Sequence, residues 1–367
     1  MKQPTSSRLL LAHLISGASA FSVVVLWTCA TSTWISPERN KWLGVLGLGY
    51  PLALLGVLLM LLFTLLLAPR RVWIPLLGLV TTWGFTMDYA PLQLFPPIVP
   101  SADTTSLRVM SYNTQAFGAW QNERRDSLLA YLDEQRLDIF CYQEGFPDET
   151  DMQRVRRQLA TQGLPHFAAE YGGGASLGIF SRFPIVEQEQ IFQIEGNGIV
   201  AFWLRPQPKD TLLVVCCHLR SNLLTLDERN EYSQIIHQAT TQHQGSQIAL
   251  SRRLVRKVAE SSVVRARMVD ALVDYLDTHP KVPTIVCGDM NETPISYSHH
   301  RLTSQAQLTD IYRAAGSGIG RSFRKDAIYV RIDQGFCSEH FQPLRARIDQ
   351  QVDFSDHYPL LMTLRRK

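Results

Sequence analysis

Charge is distributed very unevenly along this chain, and that asymmetry constrains its fold more than any single motif. The first hundred of its 367 residues hold six basic side chains (Lys2, Arg8, Arg39, Lys41, Arg70, Arg71) and two acidic ones (Glu38, Asp88), a balance of +4. The whole chain is +3, so everything after Pro100 sums to about −1. A chain of this length exceeds what one small core organises, and the break divides it into an apolar front, residues 1–90, and a globular remainder. A near-neutral remainder argues against a domain that grips nucleic acid through a strongly basic face.

The front contains three apolar stretches, Leu9 to Ile35, Trp42 to Leu67 and Val72 to Met87. A hydrocarbon core of about 30 Å asks for about 20 apolar residues in a helix, so we expect three spans, at about 9–30, 43–67 and 72–88. Trp27, Trp34, Trp42, Tyr50, Trp73 and Tyr89 fall near their ends, where amphipathic rings favour the water boundary. Arg70 and Arg71 sit in a short connection, and Lys2 and Arg8 precede the first span; basic residues of this kind stay cytoplasmic, although Arg39 and Lys41 in the outer loop oppose the assignment. The expectation is an integral membrane protein, of the inner membrane in a bacterial cell, whose three crossings leave the rest of the chain extracytoplasmic. A cleaved signal peptide ending at Ala18-Ser19-Ala20 is the competing reading, opposed by the apolar run through Val23 to Trp27. His13 is the only ionisable residue deep in a span, which favours anchoring over transport.

Pro91, Pro96, Pro97 and Pro100 mark residues 91–106 as an extended linker, with a catalytic domain expected over 107–367. There the pattern turns to short apolar runs alternating with amphipathic segments, as expected of sheets covered by helices. Strands are predicted at Leu107 to Tyr112, Asp138 to Tyr142, Gly178 to Phe180, Ile199 to Leu204, Leu212 to Cys217, Thr284 to Cys287 and Leu360 to Leu364, and helices at Glu123 to Gln135 and Val264 to Leu276. Asn222 to Ser262 reads as a long polar insertion in which Arg252, Arg253, Arg256 and Lys257 recur at helical spacing, either a solvated face or a surface for phosphates and anionic headgroups. The six cysteines match no zinc or disulfide spacing and read as buried apolar side chains. Asn113, Glu144, His218, Asp289 and Asn291 fall just past predicted strand ends, and strand ends on one sheet edge converge in space.

Six short pieces, taken in order, carry a resemblance: Ser111-Tyr112-Asn113, Gln143-Glu144, His218-Leu219, Gly288-Asp289-Met290-Asn291, Arg331-Ile332-Asp333 and Ser355-Asp356-His357. From Leu107 to Leu364 the chain resembles the endonuclease/exonuclease/phosphatase superfamily, the group of deoxyribonuclease I, abasic endonucleases, inositol polyphosphate 5-phosphatases and neutral sphingomyelinases, as a membrane-anchored, bacterial-type member. The resemblance implies an α/β (α+β) fold: a four-layer sandwich of two packed mixed sheets flanked by helices, here preceded by the three spans. It implies Glu144 as a ligand of Mg²⁺, with Mn²⁺ or Ca²⁺ as alternatives, helped by Asn113 and Asp356. Asp289, supported by Asn291, resembles the base that orients the attacking water; His357 resembles the histidine that stabilises the transition state, its ring held by Asp333; His218 stands where a phosphate oxygen is contacted.

The activity expected is metal-dependent phosphoester hydrolysis, of nucleic acid or of a phospholipid or sphingolipid headgroup as in a sphingomyelinase. A catalytically inactive membrane scaffold is the alternative of another class, opposed by the presence of every member of the constellation. The other partner expected is the bilayer, and no protein partner is predicted. Asp310 and Arg321 are expected to support loops beside the cleft, Arg265 to form a structural ion pair or reach the cleft, and the remaining histidines to take surface or capping roles.

Overall fold

Strands buried on both faces need apolar side chains at odd and even positions alike, and the strands nearest the middle of each sheet have them. The computed structural model describes residues 6–93, 106–119, 121–146, 149–222, 244–279, 282–325 and 330–367. Most of the 91–106 linker and residues 223–243 of the insertion lie outside the described residues.

One sheet joins β1 (Ser106–Asn113), β2 (Ile139–Gly145), β3 (His166–Gly172), β4 (Ala175–Ser181), β11 (Phe341–Ile348) and β12 (Leu360–Arg366) in the order β11-β12-β1-β2-β4-β3. The other joins β5 (Ile185–Ile194), β6 (Asn197–Leu204), β7 (Leu212–His218), β8 (Thr284–Asp289), β9 (Thr309–Asp310) and β10 (Asp333–Cys337) in the order β5-β6-β7-β8-β10-β9. Both sheets are mixed: β1 runs parallel to β2 and β7 to β8, while the other pairs are antiparallel.

Between the sheets lies a layer containing Val109, Ile139, Ile179, Phe202, Val214 and Ile285, together with Cys141, Cys216, Cys287 and Cys337. All six cysteines are buried and free, acting as small apolar side chains. The alternate residues Met110, Tyr112, Phe140 and Tyr142 face outward, beneath the helices Asn122–Gln135 and Glu149–Thr161. These cover the sheet with Leu128, Leu129 and Leu132 and with Met152, Val155 and Leu159. The second sheet is covered by the helix Gln244–Asp277 through Met268, Val269, Leu272 and Val273. The polar stretch before Ser262 is thus not wholly an irregular insertion, because from Gln244 it is continuous with the covering helix, and Arg252, Arg253 and Arg256 lie exposed on it.

The front of the chain folds into helices α1 (Ser6–Thr31), α2 (Leu43–Leu46), α3 (Tyr50–Leu67), α4 (Trp73–Thr81) and α5 (Trp83–Tyr89). Among the described residues, two stretches are long and apolar enough to cross a membrane, Leu9–Trp34 and Leu43–Leu67. Both turn large apolar side chains outward, Phe21 at 71% exposure and Leu52 at 69%. The third expected span, 72–88, is corrected. Its helix breaks at Thr82, where φ is −102° and ψ is 11°, leaving pieces of 9 and 7 residues. At 1.5 Å per residue, neither exceeds roughly 14 Å.

These helices dock on the sandwich. Glu38 pairs with Arg267 at 2.5 Å, Lys41 with Glu260 at 3.2 Å, and Asp88 with Arg313. Gly44 and Gly47 approach so closely that an added Cβ would stand 2.2 Å from the Ser262 hydroxyl and 2.0 Å from the Ile295 carbonyl.

Candidate active site

Sheet register assembles the centre of the site. On the parallel strands β7 and β8, His218 pairs with Asp289, and on antiparallel β10 Asp333 pairs with the same Asp289. Three chemically capable residues therefore occupy adjacent strand ends. Backbone shape aims the middle one: Gly288 takes φ +153°, and Asn291 is left-handed at φ +50°. The Asn291 N–H donates to Asp289 Oδ1 at 2.9 Å, and the Asn291 side chain donates to the Leu219 carbonyl at 3.0 Å.

The other sheet contributes Asn113, the last residue of β1, and Glu144, which follows the point where the β2–β4 register shifts and is itself left-handed at φ +50°. The Asn113 amide donates to Glu144 Oε1 at 2.9 Å and to Asp289 Oδ2 at 3.3 Å, so it bridges carboxylates from both sheets. His218 Nε2 lies 3.6 Å from Glu144 Oε1 and 3.7 Å from Asp289 Oδ2. Buried and without a hydrogen-bond partner, that nitrogen is spaced for an intervening oxygen.

His357 completes the group. Its Nδ1 meets Asp333 Oδ2 at 2.9 Å and its Nε2 stands 3.7 Å from Asp289 Oδ2. Burial by itself would lower the pKa of this imidazole, but the negative charges of Asp333 and Asp289, the Asp333 hydrogen bond and the charge of Asp356 raise it to about 10. A protonated ring held in this way presents Nε2–H as a charged donor. Phe323 packs its ring against His357 at 4.9 Å.

Seven of the eight residues singled out in the sequence are thus linked: Asn113, Glu144, His218, Asp289, Asn291, Asp333 and His357. Asp356, whose charge acts on the neighbouring His357, also meets Lys325 Nζ at 3.1 Å with its carboxylate. Its neighbour Ser355 ties the segment to β1 by donating to the Asn113 carbonyl at 2.8 Å.

Asp289, Asp333 and His357 each bring a ligand atom within 4.8 Å of one another, close enough to hold an ion. Hydrogen bonding already engages His357 Nδ1, and a ring that is protonated does not ligate. Glu144, held by the Asn113 amide at the open edge of the group, offers a hard oxygen donor that suits a hydrated divalent cation.

Two supporting residues, Asn197 and Ser322, carried no sequence signal. Asn197 donates to the same Leu219 carbonyl as Asn291, at 3.1 Å. The Ser322 hydroxyl accepts from the Ile332 and Asp333 N–H groups at 2.9 and 3.0 Å. Arg265 is buried and pairs with Glu292 at 2.8 Å, as a structural ion pair beside the Asn291 loop. His299, expected in a surface or capping role, is instead buried against Asp310 at 3.0 Å, while Asp310 caps the helix Ile311–Ala315.

Residues 110–357 match the model of the Endonuclease/Exonuclease/phosphatase family. The chain belongs to this family. Solved structures agree with that fold. D. rerio TDP2 complexed with single-strand DNA product is 16% identical with a TM-score of 0.51, over 71% of this chain and 99% of that one. The human nocturnin catalytic domain with bound sulfate is 17% identical with a TM-score of 0.50, over 72% and 95%. ANGEL2, a 2′,3′-cyclic phosphatase, in complex with adenosine-2′,3′-vanadate is 14% identical with a TM-score of 0.50, over 75% and 99%. Within this endonuclease/exonuclease/phosphatase member, residues 12–89 match a second model, described as a domain of unknown function. No curated protein matches the chain by sequence.

Proposed function

We propose that this endonuclease/exonuclease/phosphatase member is a membrane-anchored, divalent-metal-dependent phosphoester hydrolase. The observation that carries the reading is the unbroken series Glu144, Asn113, Asp289, His357, Asp333, in which each group lies within 3.7 Å of the next. A phosphoester resists attack because its oxygens repel a nucleophile, so the site must neutralise charge, aim a water and stabilise the departing oxygen.

Glu144, with Asn113 and Asp356, would hold Mg²⁺, with Mn²⁺ or Ca²⁺ as alternatives; Asn113 would turn its amide oxygen inward and Asp356 would release Lys325. The bound ion supplies Lewis-acid neutralisation of the phosphoryl oxygens. Asp289 accepts a proton from the attacking water as the new P–O bond forms and the ester P–O bond in line with it breaks, the departing oxygen taking a proton from solvent water, and the Asn291 N–H fixes the orientation of Asp289. His357 donates from Nε2 to a phosphoryl oxygen, and Asp333 holds the opposite nitrogen protonated. His218 Nε2, otherwise unpartnered, takes a second oxygen.

The two apolar helices favour a lipid-borne phosphodiester. The sandwich docks on the connection that holds Glu38 and Lys41, whereas Arg71 meets Ser16 at the other end of α1, and the broken α4–α5 pair returns beside α1, where Trp27 donates to Thr81; with Arg70 and Arg71 cytoplasmic, the catalytic domain is extracytoplasmic. The test uses the full chain in detergent with a panel of phospholipid, sphingolipid, DNA and RNA substrates, with each ion or a chelator. Chelation should abolish turnover, and Asp289→Ala and His357→Ala should each lower it by about 10²–10⁴. Turnover indifferent to chelator removes the metal, and parental rates in both variants remove the residue roles.

A further inference from the structure

Arg331 is only 1% exposed, and the carboxylates whose charges reach it, Asp310 and Asp88, are engaged by His299 and Arg313. Backbone oxygens take its two Nη groups, while Nε has no hydrogen-bond partner among the described residues. Nη2 donates to the Asp88 carbonyl at 2.6 Å, and Nη1 donates to the carbonyls of Ile319 at 2.9 Å and Tyr89 at 3.4 Å. Asp88 and Tyr89 end α5, whose last carbonyls lack helical partners and carry the negative end of the helix dipole. A buried cation from the sandwich thus caps a helix of the docked unit. The same guanidinium stacks over the Tyr312 ring at 4.2 Å.

Arg331 stands two residues before Asp333, the partner of His357, and the Ser322 hydroxyl accepts both intervening N–H groups, those of Ile332 and Asp333. On the other side of the site, Gly47 packs on the Ile295 carbonyl, four residues beyond the Asn291 whose N–H aims Asp289. Both loops that orient the acid–base groups therefore bear on the apolar helices. An anchor that served only to retain the domain near a bilayer would need neither contact.

We propose that Arg331 and the Gly47–Ile295 contact are positioning contacts, through which docking of the helical unit sets the geometry of Asp333, His357 and Asp289, so that turnover depends on the docked state. This rests on the hydrolase reading above. The experiment compares the full-length parent in detergent with Gly47→Leu, Arg331→Met, Arg331→Lys and, as a control on the Arg366–Asp210 ion pair at the opposite strand ends, Arg366→Gln. Steady-state kinetics, thermal melting and hydrogen exchange over residues 84–90, 291–296 and 330–333 are measured on each. Gly47→Leu leaves every residue of the sandwich intact, so it decides the matter where Arg331→Met does not fold.

Gly47→Leu and Arg331→Met should lower kcat at least about tenfold with KM within about twofold, and exchange at 330–333 should accelerate; Arg331→Lys should recover part of kcat, and Arg366→Gln should match the parent. A kcat within about twofold of the parent in both variants overturns the proposal, as does a loss that only tracks the unfolded fraction. If the parent turns over no phosphoester, the hydrolase reading fails. Exchange at 330–333 in Gly47→Leu then still decides whether docking restrains the Asp333 segment.

Discussion

At the scale of single residues, the sequence names the chemistry but not the direction in which each group points. Asn113, Glu144 and Asp289 could be picked out by their positions after apolar runs, yet nothing local reveals that one amide serves two carboxylates separated by more than a hundred residues. Asp356 shows the reverse, because its carboxylate is met by Lys325, a residue without any motif. Asp333→Asn is expected to reduce kcat by about 10²–10⁴ with little change in KM, since the variant withdraws the charge that keeps His357 protonated; pre-steady-state and steady-state rates check this. Asp310 offers a prediction on stability. Burial pushes its carboxyl up, but the His299 hydrogen bond and charge, Arg331 and the Arg313 N–H together hold it below the ordinary carboxylate value. A depressed carboxyl stabilises the fold fully above its unfolded pKa of about 3.9 and loses that contribution as pH falls through the lower folded value. Asp310→Asn should therefore cost about 3 kcal/mol near neutral pH, and the gap from the parent should begin to narrow below about pH 4 and close only beneath the folded value, as read in denaturant titrations.

At the scale of elements, central strands were legible and peripheral ones were not. β1, β2, β7 and β8 are apolar on both faces because each is covered by a sheet on one side and helices on the other. β3, β5 and β11 mix polar and apolar residues at partly exposed positions, so no simple periodicity marks them. The break between α4 and α5 was equally hidden: the run from Val72 to Met87 is apolar throughout, and only the packed structure interrupts it at Thr82. Gly288 illustrates how one element depends on another. With φ at +153° and a Cβ position 1.9 Å from the Cys217 carbonyl on β7, it lets β8 close against its neighbour. Gly288→Ala should destabilise the domain by about 3 kcal/mol or more, read from a chemical melt, and turnover should fall with it as Asp289 is displaced.

At the scale of the whole molecule, the anchor proposed from the two apolar helices predicts that the chain partitions with membranes and is released by detergent rather than by high salt or alkaline carbonate; recovery in the soluble fraction would contradict the anchor. The near-neutral remainder bears on substrate. Nuclease activity through counterion release should fall steeply between about 50 and 200 mM salt, whereas hydrolysis of a zwitterionic lipid should stay nearly flat, so a salt titration of kcat/KM separates the two. The sequence by itself determined the division into an apolar front and an α/β remainder, the family and the inventory of reactive side chains, because periodicity, charge and short motifs are local properties of the chain. Tertiary structure alone decided that these side chains meet, that Asp356 faces Lys325, that the third apolar run is broken, and that Arg331 caps α5, because each depends on which distant backbone and charge a buried group finds beside it.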